Sequence, residues 1–438
     1  MEEIIRTSIT LEYAKDWGIE RILLDGLQNH NPADSKGTKV EIEIRIDGQW
    51  VPLEEAKVRI LEGKKVEGIS FSDDGRGYDY RKLGLLYSDK PKTKANSRGP
   101  VGKFGEGLKM LCAVCVREEI PMRIQSRDWS GIPRAERVEI DGEIAHQLIF
   151  DIQTGLEPRI GSRDEFYSPP QQLIDDVVAV GKSVLSFRQE LVVLHADDKG
   201  NRIIEGTGDI FVKGYLISRN YRGRLGFDYD LNIDDLPRDR DHVKEEVLGN
   251  AIGEVIANLN ANDRALVGRL LDAAFEKGAK ERLDLEYAGT VWIAYENGAK
   301  TGVGRTIAHP DIWHHMFEQK FGETAVLESD NVDSNRLARL AGHKVVHCKS
   351  WGMENLLHSC GVKNANAVSK ENQFLAEEVE GAEAAKLAVH ETSWTTRSRA
   401  GKWGAIRIGL DATSNHLPKD SKRKPMIKMN QSDSLVKE

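Results

Sequence analysis

The sequence predicts an α+β protein of several domains, and three observations carry that reading. Short stretches of strict apolar–polar alternation interleave with stretches of helical period along most of the chain. Asp-Gly and glycine-rich turns punctuate them. The chain has 438 residues, more than one core holds, since single cores seldom grow much beyond ~250 residues.

Hydrophobic residues make up 39% and charged residues 30%, a globular balance that excludes collagen-like and disordered classes. No run of about 18 apolar residues occurs, and Met1-Glu2-Glu3 lacks the basic-then-apolar order of a secretion signal. With four cysteines, too few for a disulfide scaffold of this length, the expectation is a cytoplasmic protein with free thiols and no membrane partner. A net charge of −8 gives no global pull toward nucleic acid, so such binding would need a local basic patch.

Residues 16–29 set Trp17, Ile19, Ile22, Leu23, Leu24 and Leu27 at the spacing of a buried helix, ended by His30-Asn31-Pro32. Asp25 and Asn29, four apart, then share one face. Residues 39–46 read KVEIEIRI, and Asp47-Gly48 turns the chain into Gln49-Trp50-Val51, a hairpin. A second strand, 68–72, runs into Asp73-Asp74-Gly75-Arg76-Gly77, whose glycines permit a tight turn and close ligand approach. The polar stretch 87–100 precedes Gly102-Lys103-Phe104-Gly105-Glu106-Gly107, which opens an apolar helix. Glycines at a helix start suit an anion, because free N–H groups and the positive end of the dipole point outward together.

Alone, a DxGxG turn or a GxxGxG run is a common surface feature. Their order within about ninety residues resembles the GHKL ATPases, a family that includes DNA gyrase B subunits, histidine-kinase catalytic domains, mismatch-repair and microrchidia ATPases and the large heat-shock chaperones. The resemblance covers residues 10–150 and implies a GHKL-type α/β sandwich that binds ATP and Mg²⁺. It implies that Asn29 coordinates the metal and that Asp25, as the catalytic carboxylate, orients or deprotonates the attacking water. One amide oxygen suffices for Mg²⁺, which keeps several waters, and a carboxylate one turn away can hold a water in line with the γ-phosphate. The family usually carries Glu where this chain has Asp25, one methylene shorter, so slow hydrolysis or binding without turnover are both open; the family's later Asp on this helix is replaced by Pro32. Asp73 matches the aspartate that accepts a hydrogen bond from the adenine amine, with Gly75 and Gly77 letting the base lie against the backbone. Residues 78–101, carrying Lys90, Lys92, Lys94 and Arg98, match the lid, and Gly102, Lys103, Gly105 and Gly107 the phosphate-facing helix start.

The expected organisation is an ATP-binding domain at 1–156, an α+β transducer-like domain at 157–285, a small βα-wound domain at 286–367, and a helix with a polar basic tail at 368–438. Strands are expected at 123–126, 146–152, 191–194, 208–217, 289–293, 325–327 and 344–347, and helices at 172–187, 242–259, 264–275, 311–320, 334–341 and 373–390. Arg238 and Arg240 are candidates for the polar residue a transducer domain offers to the γ-phosphate, against the plainer reading of Asp-paired surface charge. The basic end, 419–428, reads as a solvated tail more readily than as a contact for a protein or nucleic-acid client.

Other chemistries fit less well. Cys112 and Cys115 lie in an apolar helix, where buried thiols are ordinary core filling, and Cys348 and Cys360 do not form the second close couple of a zinc site. His390-Glu391 is not followed by the second His of a zincin helix, and Gly105-Glu106-Gly107 lacks the βαβ setting of a dinucleotide fold. The leading expectation is an ATPase whose nucleotide occupancy orders the lid, moves the following domains and promotes homodimerisation. The alternatives are a non-hydrolysing nucleotide-gated interaction module and, less favoured because no dimerising helical hairpin precedes the domain, a histidine kinase.

Overall fold

The computed structural model describes residues 2–13, 15–30, 39–85, 107–233, 243–276, 281–294, 300–371, 388–391 and 426–429. The chain divides into two compact units, Met1–His309 with Ser350–Leu356, and Pro310–Lys349 with Leu357–Glu438.

The first unit begins with strand β1 (Glu2–Thr10) and helix α1 (Ile22–Asn29). The helix is shorter than its apolar spacing predicts. Gly18 is extended and its N–H is bonded by the Glu20 carboxylate, so the chain enters through one 3-10 turn, Ile19–Arg21, instead of continuous α-helix from residue 16. The hairpin β2 (Val40–Ile46) and β3 (Gln49–Pro52) closes with Ile46 opposite Gln49, as Asp47-Gly48 predicts. Helix α2 (Leu53–Leu61), strand β4 (Val66–Asp73), helix α3 (Gly107–Arg117) and strands β5 (Met122–Ser126), β6 (Trp129–Ile140), β7 (Glu143–Thr154) and β8 (Ser162–Tyr167) follow.

These eight strands form one antiparallel sheet in the order β1-β7-β6-β5-β8-β4-β2-β3. The sheet extends past the expected boundary at residue 156, because β8 is an interior strand paired to both β4 and β5. Alternation along the strands sends Ile42, Ile44, Ile69, Phe71, Ile124, Phe150 and Phe166 into one core with Ile22, Leu23 and Leu27 of α1 and Leu111, Cys112 and Val114 of α3. Gly26 permits this packing: a β-carbon there would lie 2.6 Å from the Phe71 ring. The helix backbone therefore rides directly on β4, and the end of α1 is brought beside the end of that strand.

Helix α4 (Gln171–Val178) adds Leu173, Ile174 and Val177 to this core. The helix predicted for 172–187 breaks into α4 and two 3-10 turns, Val180–Lys182 and Leu185–Phe187. A five-stranded sheet, β12-β11-β13-β10-β9, follows from β9 (Val193–Ala196), β10 (Arg202–Ile204), β11 (Ile210–Val212), β12 (Tyr215–Ser218) and β13 (Asp228–Leu231). The single strand predicted at 208–217 is a hairpin, since Lys213 and Gly214 both take positive φ. Helices α5 (Glu245–Ala257), α6 (Arg264–Phe275) and α7 (Leu283–Ala288) and the hairpin β14 (Thr290–Ala294) and β15 (Lys300–Gly304) complete the unit.

The second unit follows the elements expected between 311 and 347: α8 (Pro310–Phe321), β16 (Ala325–Leu327), α9 (Val332–Leu340) and β17 (Lys344–Val346), with β16 and β17 parallel. The strand expected at 289–293 lies instead in the first unit. Helix α10 (Trp351–Ser359) starts in the first unit and ends in the second, where α11 (Ala365–Glu371) packs Ala365 and Val368 on Val326 and Ala338. The predicted helix 373–390 lies outside the described residues except at its end, where β18 (Ala388–Glu391) pairs in parallel with β19 (Met426–Met429). Among the described residues, no helix is long and apolar enough to cross a membrane.

Candidate functional site

The C-terminal end of α1, the end of β4 and the start of α3 converge in the first unit. Asn29 closes α1. Its amide Nδ2 is buried without a hydrogen-bond partner among the described residues, and its Oδ1 lies 3.1 Å from where a β-carbon on Gly107 would stand. Gly107 is the first residue of α3, so a side chain on it would crowd the Asn29 amide. Gly102, Lys103, Gly105 and the lysines and arginine of the expected lid lie outside the described residues, as do Arg238 and Arg240.

Asp73 ends β4 with its carboxylate nearly buried. Oδ1 accepts from the Gly75 N–H at 2.9 Å and Oδ2 accepts from His30 Nδ1 at 2.7 Å. The turn beyond is latched to the end of β5. A β-carbon on Gly77 (φ +63°) would meet Ser126 Oγ at 2.6 Å, and that hydroxyl accepts from the Tyr78 N–H at 2.9 Å. Tyr78 also offers its carbonyl to Trp129 Nε1 at 2.9 Å. From beneath, Gly161 presses on Asp73 itself.

His30 is the residue the sequence reading passed over. It is fully enclosed, 3% exposed, and stands between two carboxylates. Its Nε2 lies 3.2 Å from Asp164 Oδ2, close enough for charge pairing though too poorly aligned to count as a directed hydrogen bond. Asp164 is itself buried on β8, opposite Phe71 on one side and Ile124 on the other. Burial alone would lower the imidazolium's pKa, but Asp164 and then Asp73 outweigh it and raise His30 to about 9. It is therefore a cation at neutral pH. The Tyr78 hydroxyl, buried with no hydrogen-bond partner among the described residues, is driven far above its ordinary range by burial and by Asp164, Cys112 and Asp73.

Asp25 is 6% exposed, and its Oδ2 pairs with Arg21 Nε at 3.2 Å one turn earlier on the helical path. The Arg21 guanidinium is stacked on the Trp17 ring at 4.4 Å, so at least one oxygen of this carboxylate is committed to a fixed cation.

Thus Asn29, Asp73, Gly75, Gly77 and Gly107 are joined through contacts of one to two residues, and Asp25 lies one turn back on the same helix. His30 and Asp164 were missed. The signal for Asp164 was available: in Ser162-Arg163-Asp164-Glu165-Phe166 it shares the inward face with Phe166, where an acidic residue needs a partner. Among the described residues, no group of three or more His, Cys, Asp or Glu has the arrangement of a metal site. No protein-family model and no characterised protein matches the chain.

Proposed function

We propose that the first unit binds ATP with Mg²⁺ at the junction of α1, β4 and α3, in the manner of a GHKL-type ATPase. The observation that carries this reading is the convergence at one site of Asn29, Asp73 and Gly107, three residues from separate stretches of sequence. The buried Asn29 Nδ2, without a partner among the described residues, supports it, since such an atom is destabilising unless something occupies the space beside it. Asn29 would hold the metal through Oδ1, and Asp73, with lone pairs left after Gly75 and His30, would accept from the adenine amine. The backbone at the start of α3 would face phosphate oxygens. Bound Mg²⁺ supplies charge neutralisation on the phosphates. Occupancy would drive domain rearrangement or homodimerisation.

A second reading, nucleotide-gated binding without hydrolysis, is favoured by the Arg21–Asp25 pair, which occupies the carboxylate expected to orient water. One experiment separates them: Mg²⁺-dependent ATP binding and turnover by wild type, Asp25→Ala and Asn29→Ala. Turnover lost in both variants while Asp25→Ala still binds ATP supports hydrolysis with Asp25 as base. Binding without turnover in wild type supports the gated module, and no ATP binding by wild type sinks the proposal.

A further inference from the structure

We propose that His30, backed by Asp164, is a specificity-determining residue: it fixes the Asp73 carboxylate as an outward-facing acceptor, so that the site selects a purine bearing an exocyclic amine over one bearing a carbonyl. This inference rests on the nucleotide reading of the same site.

The geometry carries it. A carboxylate has two oxygens and about four lone-pair directions. At Asp73 the Gly75 N–H takes one on Oδ1, and His30 Nδ1 takes one on Oδ2 at 2.7 Å. With both oxygens held, the carboxylate cannot rotate, and what it still presents can only accept. Adenine offers an amine donor at that edge, whereas guanine and hypoxanthine offer a carbonyl. Acceptor against acceptor in a buried site leaves both groups unsatisfied, the kind of mismatch that discriminates most strongly.

His30 is in turn held from behind. Asp164 Oδ2 lies 3.2 Å from Nε2, and both side chains are almost inaccessible to water. A histidine that merely filled space between α1 and the sheet would need no buried carboxylate on each side. Enclosing three charged groups is unfavourable for stability compared with apolar packing of the same volume, so the arrangement is explained by what it does to Asp73. The imidazole converts one strand-end aspartate into an oriented reader, and Asp164 keeps the ring turned so that Nδ1 points at it.

The test compares binding of ATP and inosine triphosphate, which replaces the amine by a carbonyl, to the full chain with Mg²⁺ by titration calorimetry. The variants are His30→Asn, His30→Gln and Asp164→Asn. An Asn amide nitrogen can take the place of Nδ1 and keep the bond to Asp73; a Gln amide reaches toward Asp164 and loses it. The ratio of the two affinities is the readout, because a general loosening of the fold weakens both nucleotides alike. Wild type and His30→Asn are expected to prefer ATP, and His30→Gln to lose about tenfold of that preference, the scale of one charge-assisted hydrogen bond. Asp164→Asn, which keeps shape and removes charge, loses part of it and carries the test if His30→Gln does not fold. A wild-type ratio in His30→Gln or, failing that variant, in Asp164→Asn overturns the proposal. Equal ATP and inosine triphosphate affinity in wild type overturns it while leaving the nucleotide reading standing. Absence of binding by either nucleotide to wild type removes both.

Discussion

Gly161 lies so close beneath Asp73 that a β-carbon on it would stand 1.8 Å from the Asp73 carbonyl oxygen and 2.9 Å from its Oδ1. The loop before β8 thus acts as the floor on which the end of β4 rests. Gly161 also has φ of +70°, a left-handed backbone that costs an ordinary residue roughly 1–2 kcal/mol. Gly161→Ala adds that strain to a clash with backbone, which cannot rotate away. We expect a lower urea midpoint for Gly161→Ala, together with ATP affinity reduced more than in a comparably destabilised variant elsewhere in the unit. Unchanged stability and affinity would show that the loop yields at no cost.

Gly26 tests the packing that sets α1 on β4. In an open helix, Gly→Ala would stabilise by about 1 kcal/mol. Here the added carbon meets the Phe71 ring at 2.6 Å, and overpacking a full core costs typically 1–3 kcal/mol. The clash outweighs the propensity gain, so Gly26→Ala should be destabilised in denaturant unfolding. The double variant Gly26→Ala with Phe71→Leu should recover part of the loss, since the smaller side chain vacates the contact. Additive losses in the double variant would refute the contact as the cause.

How much of this was legible in the sequence depends on where the physical signal was local. The β2–β3 hairpin was, because alternation and Asp47-Gly48 both act within neighbouring residues. Asp73 at a strand end and Gly107 at a helix start were legible for the same reason. Strand β8 was not: three consecutive charges, Arg163, Asp164 and Glu165, interrupt the apolar alternation that marks a strand, yet Arg163 bonds Glu43 and lies 4.6 Å from the Trp50 ring, Glu165 accepts from Tyr167, and Asp164 meets His30. Glu43, Trp50 and His30 are all distant in sequence. Strand β6 was hidden by Gly131 and Pro133, but past Gly131 it pairs with β7 alone, and an edge tolerates proline. The His30–Asp164 relation joins the C-terminal end of α1 to β8, an adjacency no local pattern encodes.

The four cysteines give a prediction about reactivity. Cys112, Cys115, Cys348 and Cys360 are all buried and outside any disulfide. Burial pushes the Cys112 and Cys115 thiols far above their ordinary range and Cys360 up to about 12. Since the thiolate is the reactive form, a disulfide-exchange reagent should modify none of these four at pH 8 in the native protein within the time that it modifies all four in urea. Rapid native labelling of Cys112 or Cys115, mapped by mass spectrometry, would show that α3 opens on that timescale.

Without nucleotide or metal, the stability of the fold should depend on pH through His30. His30 is raised in the folded protein to about 9 from an ordinary value of 6.5. A raised folded value means that the folded state holds the proton more tightly than the unfolded chain does. The stabilisation is then complete below the unfolded pKa and is lost as pH climbs through the folded one. Of the groups around the cluster, Tyr78 and Cys112 are held well above this window, and Arg159, which burial lowers while Asp73 and Asp164 oppose it, remains a guanidinium cation. Unfolding free energy should therefore fall between pH 7 and about 9. His30→Asn, which keeps a donor toward Asp73 but has nothing to titrate, should flatten that slope whatever its own stability. A wild-type curve flat across this interval, or a slope preserved in His30→Asn, would mean that the imidazole enters the fold neutral and that Asp73 and Asp164 share their charge by another route.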